Sequence, residues 1–304
     1  MSILLKSTQT QTSHDKNSLK DFEVLRMPAT GISIVVRTFN SSRTLGHVLE
    51  KLILQDADEL IIVDSGSTDS TLALAQAHGA HIICVKPPFN YSESLNRGFA
   101  VASNGWVLVL SSHTIPLDTT FLTVIREFAA SAPMDVVVGF GSRVLAAPRS
   151  VSKTTFGFER MPKTDFQWGA GNTLAVYRKQ AWSKHLFRTD LKTAEDLEWF
   201  LWAIREGYSG ATIPGAIGIY RNQGNCAHMF RKGWAEEKHA QMLLNTGKKP
   251  FRDFFASLFI GTAYLFKLWS FGDLPFSFLA RQLSHHIGGC LSAFITNKPP
   301  SWVK

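Results

Sequence analysis

Apolar runs alternate with amphipathic segments along the first half of the chain. Residues 32–36 (ISIVV) form an almost unbroken β-branched run, which is typical of a buried parallel strand. Residues 45–53 instead carry apolar side chains at helical spacing. The alternation continues with predicted strands at 60–63, 82–85 and 106–110, and predicted helices at 71–78 and 94–102. Strands separated by helices of this size predict a doubly wound α/β domain with a parallel sheet.

Small polar residues and glycines mark the ends of these segments. Ser41 or Ser42 is placed to cap the first helix, and Gly79 follows the second helix where a left-handed C-cap is wanted. A further helix at 121–130 and strands at 136–140 and 172–177 follow, with a helix that begins near Glu195 and stops at Gly207. Residues 141–170 have weak periodicity, so we expect a long excursion there.

The character of the chain changes after residue 215, where long helical stretches rich in aromatic residues begin. We predict helices at 229–244, 251–271 and 275–294. The best candidate for a transmembrane span, residues 254–271, contains Lys267 and barely reaches the length of a bilayer crossing, so interfacial or core-packed helices are favoured.

Composition divides the chain into three parts and sets the class of protein. With 45% hydrophobic and 18% charged residues the chain is globular, apart from a polar arm at residues 1–28 that lacks the apolar core of a signal peptide. We therefore expect an α/β domain at 29–225 and a helical region at 226–304. Three cysteines without a close pair exclude a disulfide framework, and we expect a cytoplasmic protein.

Positive charge is concentrated in the C-terminal region. Residues 226–304 hold 10 Lys and Arg against 4 Asp and Glu. A basic, aromatic-rich segment fits an anionic surface, and without a nucleic-acid motif we favour peripheral attachment at the inner face of a membrane. Two alternatives stay open, a helical extension packed on its own domain and a dimer interface.

Polar residues follow three predicted strands at the ends where α/β sheets bind ligands. They are the sequences VRTFN at 36–40, DSGSTD at 64–69 and SSHT at 111–114. An Asp such as Asp64 can accept hydrogen bonds from a ribose hydroxyl or a base, and Gly66 permits a tight turn. The layout predicts a nucleotide site, although the 64–69 segment alone would also fit a plain turn followed by a helix cap.

Four sequence blocks occur in order: VRTFN at 36–40, DSGSTDST at 64–71, NRG at 96–98 and AED at 194–196. Over residues 30–225 this set resembles the family 2 glycosyltransferases of the GT-A fold, in particular their rhamnosyltransferase-like group. The resemblance implies a Rossmann-like, mostly parallel sheet with flanking helices. It also implies a nucleotide site, whose residues are Thr38, Asn40, Asp64, Ser65, Asn96 and Arg97.

One hallmark of the family is absent. Its Asp-x-Asp motif, which holds Mg²⁺ or Mn²⁺ against the donor diphosphate, is replaced by SSHTIP at 111–116, and the family's late histidine is replaced by RNQ at 221–223. His113 alone is a poor ligand for a hard cation, which puts metal use in doubt. Our hypothesis is that Ser112, His113 and Arg221 serve the diphosphate region, with the Arg221 guanidinium replacing the cation. A surface salt bridge for Arg221 and a turn role for His113 are the alternatives.

The acid pair at 195–196 matches the family's catalytic acids. The resemblance assigns Asp196 as the base that deprotonates the acceptor hydroxyl, with Glu195 orienting the acceptor. Acids at a helix start also favour the macrodipole without any catalysis.

The sequence thus predicts an inverting transfer from a nucleotide-diphosphate sugar to a hydroxyl of a glycan, glycolipid or small molecule. A nucleotidyltransferase is disfavoured, because no glycine-rich phosphate loop follows the first strand. The non-enzyme alternative is a degenerate fold that binds nucleotide or glycan without turnover.

Overall fold

The computed structural model describes residues 31–86, 88–144, 156–161, 171–191, 193–221, 225–244, 259, 261–263 and 276–295. The predicted N-terminal arm, most of the 141–170 excursion and most of the helix predicted at 251–271 lie outside these residues.

Within the described chain, nine strands form one sheet that is flanked by helices. The strands are β1 (Ile32–Thr38), β2 (Glu59–Asp64), β3 (His81–Cys84), β4 (Trp106–Ser111), β5 (Thr114–Pro116), β6 (Val136–Val144), β7 (Glu159–Arg160), β8 (Leu174–Arg178) and β9 (Ser209–Tyr220). The helices are α1 (Ser42–Glu50), α2 (Thr71–Ala77), α3 (Tyr91–Val101), α4 (Phe121–Ser131), α5 (Lys179–Trp182), α6 (Glu195–Arg205), α7 (Cys226–Leu244) and α8 (Phe276–Ile295).

The strand order is β3-β2-β1-β4-β8-β6-β9-β5, with β7 paired to β9. The pairs β1–β2, β1–β4, β2–β3 and β6–β9 are parallel, so the predicted βαβ units are confirmed. Strand β8 runs antiparallel between β4 and β6. The apolar pattern predicted this strand but not its antiparallel direction, which brings residues just before Leu174 to the carboxyl end of β4.

Each face of the sheet carries its own hydrophobic core, as a doubly wound fold requires. One core joins side chains of β1, β2 and β4 to α1 and α4, with Leu45 and Phe128 at full burial. The other joins the opposite side chains of the same strands to α3 and α6, with Phe99 and Trp199 at full burial. Both faces are covered, which explains why the strands read as continuous apolar runs.

Glycine permits a close approach of α3 to the sheet. A Cβ on Gly98 would lie 2.5 Å from Val35 Cγ1, a distance that no side chain tolerates. The glycine of the NRG block therefore has a packing reason of its own.

The predicted helix ends agree with the structure in one respect and differ in another. Gly79 and Gly207 adopt positive φ values of 68° and 83° after their helices, as expected of C-caps. Ser41 occupies the N-cap position of α1, but its hydroxyl makes no cap hydrogen bond and contacts Ser112 Oγ at 2.8 Å instead. The cap prediction for Ser41 is wrong, because its hydroxyl ties two loops together.

Helices α7 and α8 pack against each other, and α7 also touches α6. Among the described helices, none combines the length and the hydropathy that a bilayer crossing needs.

Candidate active site

The carboxyl ends of the central strands meet at one edge of the sheet. Thr38 lies opposite Asp64 in the β1–β2 register, and Arg37 lies opposite Ser111 in the β1–β4 register. The Ser111 N–H donates to the Thr173 carbonyl at 3.0 Å, which adds the segment before β8 to the same edge. We call this edge, with the loops that follow its strands, the rim.

Asp64 organises the loop that follows β2. Its buried carboxylate accepts four hydrogen bonds, from the Thr38 hydroxyl at 2.8 Å, the Ser67 hydroxyl at 2.5 Å, and the backbone N–H groups of Gly66 and Ser67. A carboxylate has about four acceptor positions, so these protein donors use all of them. The carboxylate therefore fixes the shape of the loop in this state of the protein.

Asn40 joins the loop after β1 to the loop after β2. Its backbone is left-handed, with φ of 46°, and its side-chain oxygen accepts from the Thr68 N–H at 2.8 Å. Asp69 accepts from the Thr71 N–H at 3.0 Å and from the Ser42 N–H at 3.1 Å, so it supplies an acceptor at the start of both α1 and α2. These contacts make the two loops a single rigid unit.

The acids at the start of α6 reach the rim through Asn172. Asp196 Oδ2 accepts from the Asn172 N–H at 3.0 Å, and Glu195 Oε1 accepts from Asn172 Nδ2 at 3.2 Å. Ala194, just before them, holds a left-handed φ of 65°, a strained conformation for a residue with a side chain. The strain is local to the turn that aims both carboxyl groups.

The two acids differ in their surroundings. Glu195 is buried, and this burial, together with the charge of Asp196, raises the pKa of its carboxyl against the opposing effect of Arg37. Asp196 is partly exposed, and its other oxygen accepts from the Leu197 N–H at 2.8 Å. Of the pair, only Asp196 combines solvent access with acceptor positions left for a substrate hydroxyl.

Arg37, at the end of β1, is a cation that faces the acid pair. Its guanidinium lies 3.8 Å from Glu195 Oε1, donates to the Asn172 carbonyl at 3.3 Å, and sits 4.9 Å from the centre of the Tyr91 ring. Tyr177 donates to Asn172 Oδ1 at 2.8 Å. Burial and the nearby acids raise the pKa of Tyr177 well above its usual range, so the phenol stays protonated as a donor.

His113 and Arg221 are neighbours, as the diphosphate hypothesis requires. The Arg221 N–H donates to the His113 carbonyl at 2.7 Å, where β5 pairs with β9. His113 Nδ1 lies 3.1 Å from Thr44 Oγ1. Burial and the positive charge of Lys232 lower the pKa of His113 to about 4, so its ring is neutral at physiological pH.

Asn96 and Arg97, both expected at the nucleotide, bond to other parts of the described chain. The Asn96 amide donates to the Phe187 carbonyl and accepts from the Phe187 N–H and from Trp182 Nε1. Arg97 is exposed and pairs with Glu93 one helical turn away. The contacts of Asn96 hold the 182–187 segment on α3, a structural role that the resemblance did not suggest.

Four buried side-chain atoms at the rim find no hydrogen-bond partner among the described residues. They are Arg37 Nη1, Ser65 Oγ, Thr114 Oγ1 and Thr173 Oγ1. A buried polar atom without a partner costs about 1–3 kcal/mol, so such a concentration points to a polar ligand.

The family resemblance implies a divalent cation near residues 111–113, and the donors there do not fit one. Ser112 is buried with its hydroxyl on Ser41, and His113 is held by Thr44. Mg²⁺ and Mn²⁺ prefer anionic oxygen ligands, which these residues do not supply. The described parts of the chain contain no group of three or more His, Cys, Asp and Glu that could hold a metal ion.

Sequence reasoning missed three residues that build the site: Arg37, Asn172 and Tyr177. Arg37 lies inside the VRTFN block and could have been noticed as a cation at a strand end. Asn172 and Tyr177 reach the site because β8 is inserted antiparallel beside β4.

Comparisons with known proteins identify the family and the fold. The family model for glycosyl transferase family 2 matches residues 33–185, half of the chain. A dolichyl N-acetyl-alpha-D-glucosaminyl phosphate 3-beta-D-2,3-diacetamido-2,3-dideoxy-beta-D-glucuronosyltransferase of Methanococcus voltae is 24% identical over 285 residues, covering 86% of this chain and 82% of that protein. Glucosyl-3-phosphoglycerate synthase of Mycolicibacterium smegmatis is 31% identical over 125 residues, covering 36% and 41% of the two chains.

Two solved structures share the fold. A mannosyltransferase from Pyrobaculum calidifontis in complex with GDP-Man and Mn²⁺ superposes with a TM-score of 0.58 at 16% identity, covering 88% of this chain and 86% of that one. Glucosyl-3-phosphoglycerate synthase from Mycobacterium tuberculosis with Mn²⁺ and UDP-glucose gives a TM-score of 0.53 at 18% identity, covering 71% and 78%. The chain therefore belongs to glycosyltransferase family 2 and is a glycosyltransferase of the GT-A fold.

Proposed function

We propose that this glycosyltransferase transfers a sugar from a nucleotide-diphosphate donor to an acceptor hydroxyl with inversion at the anomeric carbon, and that Asp196 is the general base. The observation that carries the proposal is the meeting of Asp196 and Asn172 beside Ser111, at the same sheet edge as Asp64. A base and a nucleotide loop on one rim are what a direct displacement needs.

Asp196 would act on the acceptor. As the acceptor oxygen bonds to the anomeric carbon, the bond from that carbon to the diphosphate oxygen breaks, and the hydroxyl proton passes to the Asp196 carboxylate. The Asn172 N–H and the Leu197 N–H hold that carboxylate in one orientation. Buried Glu195, tied to Asn172 and Arg37, would position Asp196 and the acceptor.

The nucleotide would lie along the two loops that Asn40 joins. Thr38, Asn40 and Asp64 fix the shape of this surface, and the Ser65 hydroxyl is left for the ligand. Asn96 supports the site through the 182–187 segment, and a direct contact of Asn96 or Arg97 with the nucleotide stays a prediction.

The diphosphate would lie between His113 and Arg221, beside Ser112. A neutral imidazole can donate one hydrogen bond, and a guanidinium matches two phosphate oxygens at once. Because the donors at residues 111–113 do not suit a divalent cation, we propose that protein cations stabilise the departing nucleoside diphosphate.

Two experiments on the purified protein test the proposal. The first measures release of nucleoside diphosphate from the sugar-nucleotide donor, which should continue in EDTA at a rate within about threefold of the rate with Mn²⁺. Complete loss of activity in the chelator would discard cation replacement. Asp196→Asn should lower kcat by about 10²–10⁴-fold, because the amide cannot take the proton. An Asp196→Asn enzyme with full turnover would refute the assignment of the base, and Glu198→Gln on the same helix serves as the matched acid control.

A non-catalytic nucleotide-binding or glycan-binding protein is the alternative that the missing Asp-x-Asp motif favours. It predicts donor binding without any turnover, whatever residue stands at 196.

The acceptor is proposed to be a glycan or a lipid-linked sugar. The name of the Methanococcus relative gives that protein a dolichyl phosphate-linked acceptor. The basic region 226–304 would place such an acceptor within reach at the inner face of a membrane, with roles in polysaccharide or cell-envelope synthesis. Truncation before residue 251 followed by vesicle flotation tests the membrane proposal, which unchanged association would remove.

A further inference from the structure

Helix α7 lies beyond the family match, follows β9 in the chain and contacts α6, the helix that begins with the acid pair. Its Lys232 forms an ion pair with Glu236 one turn later, with 3.7 Å between Nζ and Oε1. The other carboxylate oxygen of Glu236, Oε2, lies 2.9 Å from His285 Nε2 of α8. The two acceptor oxygens of Glu236 thus connect α8 to Lys232.

The electrostatic neighbours of Lys232 are residues of the rim. Its charge lowers the pKa of His113, after the larger effect of burial. Burial lowers the pKa of Lys232, but Glu236, Tyr220 and Tyr91 together raise this pKa above its ordinary value. Lys232 therefore stays protonated at neutral pH. Tyr91 stacks on Arg37 and Tyr220 precedes Arg221, so two of the residues that act on the ammonium adjoin the cations of the site.

Arg143, near the end of β6, joins the same group. Its guanidinium lies 5.7 Å from the centre of the Tyr220 ring, and residue 143 stands opposite Gly218 in the β6–β9 register. A Cβ on Gly171 would lie 3.9 Å from Arg143 Cζ, which places this cation beside the segment that carries Asn172. Arg143 and Lys232 therefore approach the diphosphate region from two different elements.

Lys232 has donors to spare. An ammonium carries three N–H groups, and among the described residues its only recorded partner is the Glu236 carboxylate, at an ion-pair distance rather than a hydrogen-bond distance. One third of the side chain (33%) is exposed. A group held by one anion and open to solvent is poised to bind another anion.

Close packing of α7 on α8 fixes the position of this lysine. A Cβ on Gly233 would lie 2.0 Å from the His285 carbonyl oxygen, and a Cβ on Gly288 would lie 2.1 Å from the Phe230 carbonyl oxygen. The two helix backbones touch at this crossing. The packed pair of α7 and α8 therefore acts as a rigid support for the Lys232 side chain.

We propose that Lys232 of α7, assisted by Arg143, binds the diphosphate of the donor at a site whose sequence lacks the Asp-x-Asp carboxylates. This inference rests on the proposed function, because it names the residue that holds the leaving group of that reaction. It also assigns the C-terminal helices a part in the active site itself.

The experiment measures binding by calorimetry in EDTA, with UDP, GDP and dTDP as probes and uridine, guanosine and thymidine as their matched nucleosides. Lys232→Met should lower the affinity for whichever nucleoside diphosphate the wild type binds by about 10- to 100-fold. This loss corresponds to one charge-assisted hydrogen bond. Affinity for the matching nucleoside should change by less than about twofold, because a lysine on phosphate does not touch the base.

Two further variants guard against a folding artefact. Lys232→Arg keeps the charge and should stay within about fivefold of the wild type, although the guanidinium shape differs. Arg231→Met removes the same charge from the preceding position of α7, where the side chain is exposed and donates to the Ala227 carbonyl of its own helix. This variant should leave affinity unchanged.

The outcomes separate the two claims. Wild-type diphosphate affinity in Lys232→Met, or an equal loss for nucleoside and diphosphate, would leave the proposed function standing and overturn the role of Lys232. A wild-type protein that binds none of the three diphosphates would remove the proposed function, and the role of Lys232 with it.

Discussion

Replacing Gly233 by Ala tests whether the backbones of α7 and α8 touch as closely as the structure shows. The new Cβ would lie 2.0 Å from the His285 carbonyl oxygen, whereas an ordinary contact begins at 3.4 Å. The helices must therefore separate by about 1.4 Å, the difference of the two distances, because both partners are backbone and neither can rotate away. Overpacking of this kind costs roughly 1–3 kcal/mol.

The gain from alanine offsets only part of that cost. Removing a glycine from a helix interior stabilises by about 0.5–1 kcal/mol. The expected net loss in the free energy of unfolding is therefore centred on about 1 kcal/mol and reaches at most about 2.5 kcal/mol. That corresponds to a fall in Tm of roughly 2–6 °C for a protein of this size. The displaced helix also carries Lys232, so nucleoside diphosphate affinity should fall with nucleoside affinity unchanged.

Gly46→Ala is the matched control. Gly46 lies inside α1, and a Cβ there meets no atom within 4 Å. The free energy of unfolding of this variant should therefore rise by roughly 0.5–1 kcal/mol, as for other unhindered replacements of a helical glycine. Urea unfolding and hydrogen exchange in α7 and α8 measure both variants. If Gly233→Ala were stabilised like Gly46→Ala, the close crossing and the support it gives to Lys232 would both be wrong.

Two other expectations concern the rim and the helix behind it. The pKa of His113, about 4 against 6.5 when unfolded, means that the unfolded chain takes up the proton first as pH falls. The stabilising contribution of the neutral ring is therefore complete above pH 6.5 and is lost as pH falls toward 4. The free energy of unfolding in urea should therefore differ less between pH 7 and pH 5 in His113→Asn than in the wild type. An equal difference in the two proteins would contradict the lowered pKa. Asn96→Ala removes three hydrogen bonds to the 182–187 segment and should destabilise by roughly 2–4 kcal/mol. Nucleoside affinity of the folded variant, measured at low temperature, should stay near the wild-type value, and a tenfold loss there would instead assign Asn96 to the ligand.

Much of the fold follows from local sequence. The apolar run at 32–36 predicts a strand buried on both faces, and β1 is buried there on both faces. Apolar spacing likewise predicts α1 and α4, and glycines mark the ends of α2 and α6, because hydrophobic periodicity and backbone conformation are properties of neighbouring residues. The motif blocks also predict the family, which the family model confirms.

Contacts between distant residues were decided by the tertiary structure alone. The sequence shows Asp64, Asn172 and Asp196 as separate polar residues, and only the insertion of antiparallel β8 beside β4 brings Asn172 to the acids of α6. Lys232 lies 119 positions beyond His113 in a segment that reads as a basic surface helix, yet its charge acts on that imidazole. Periodicity reports which face of a helix is buried, but helix crossing and strand order depend on packing between segments, and that packing places the charges around the site.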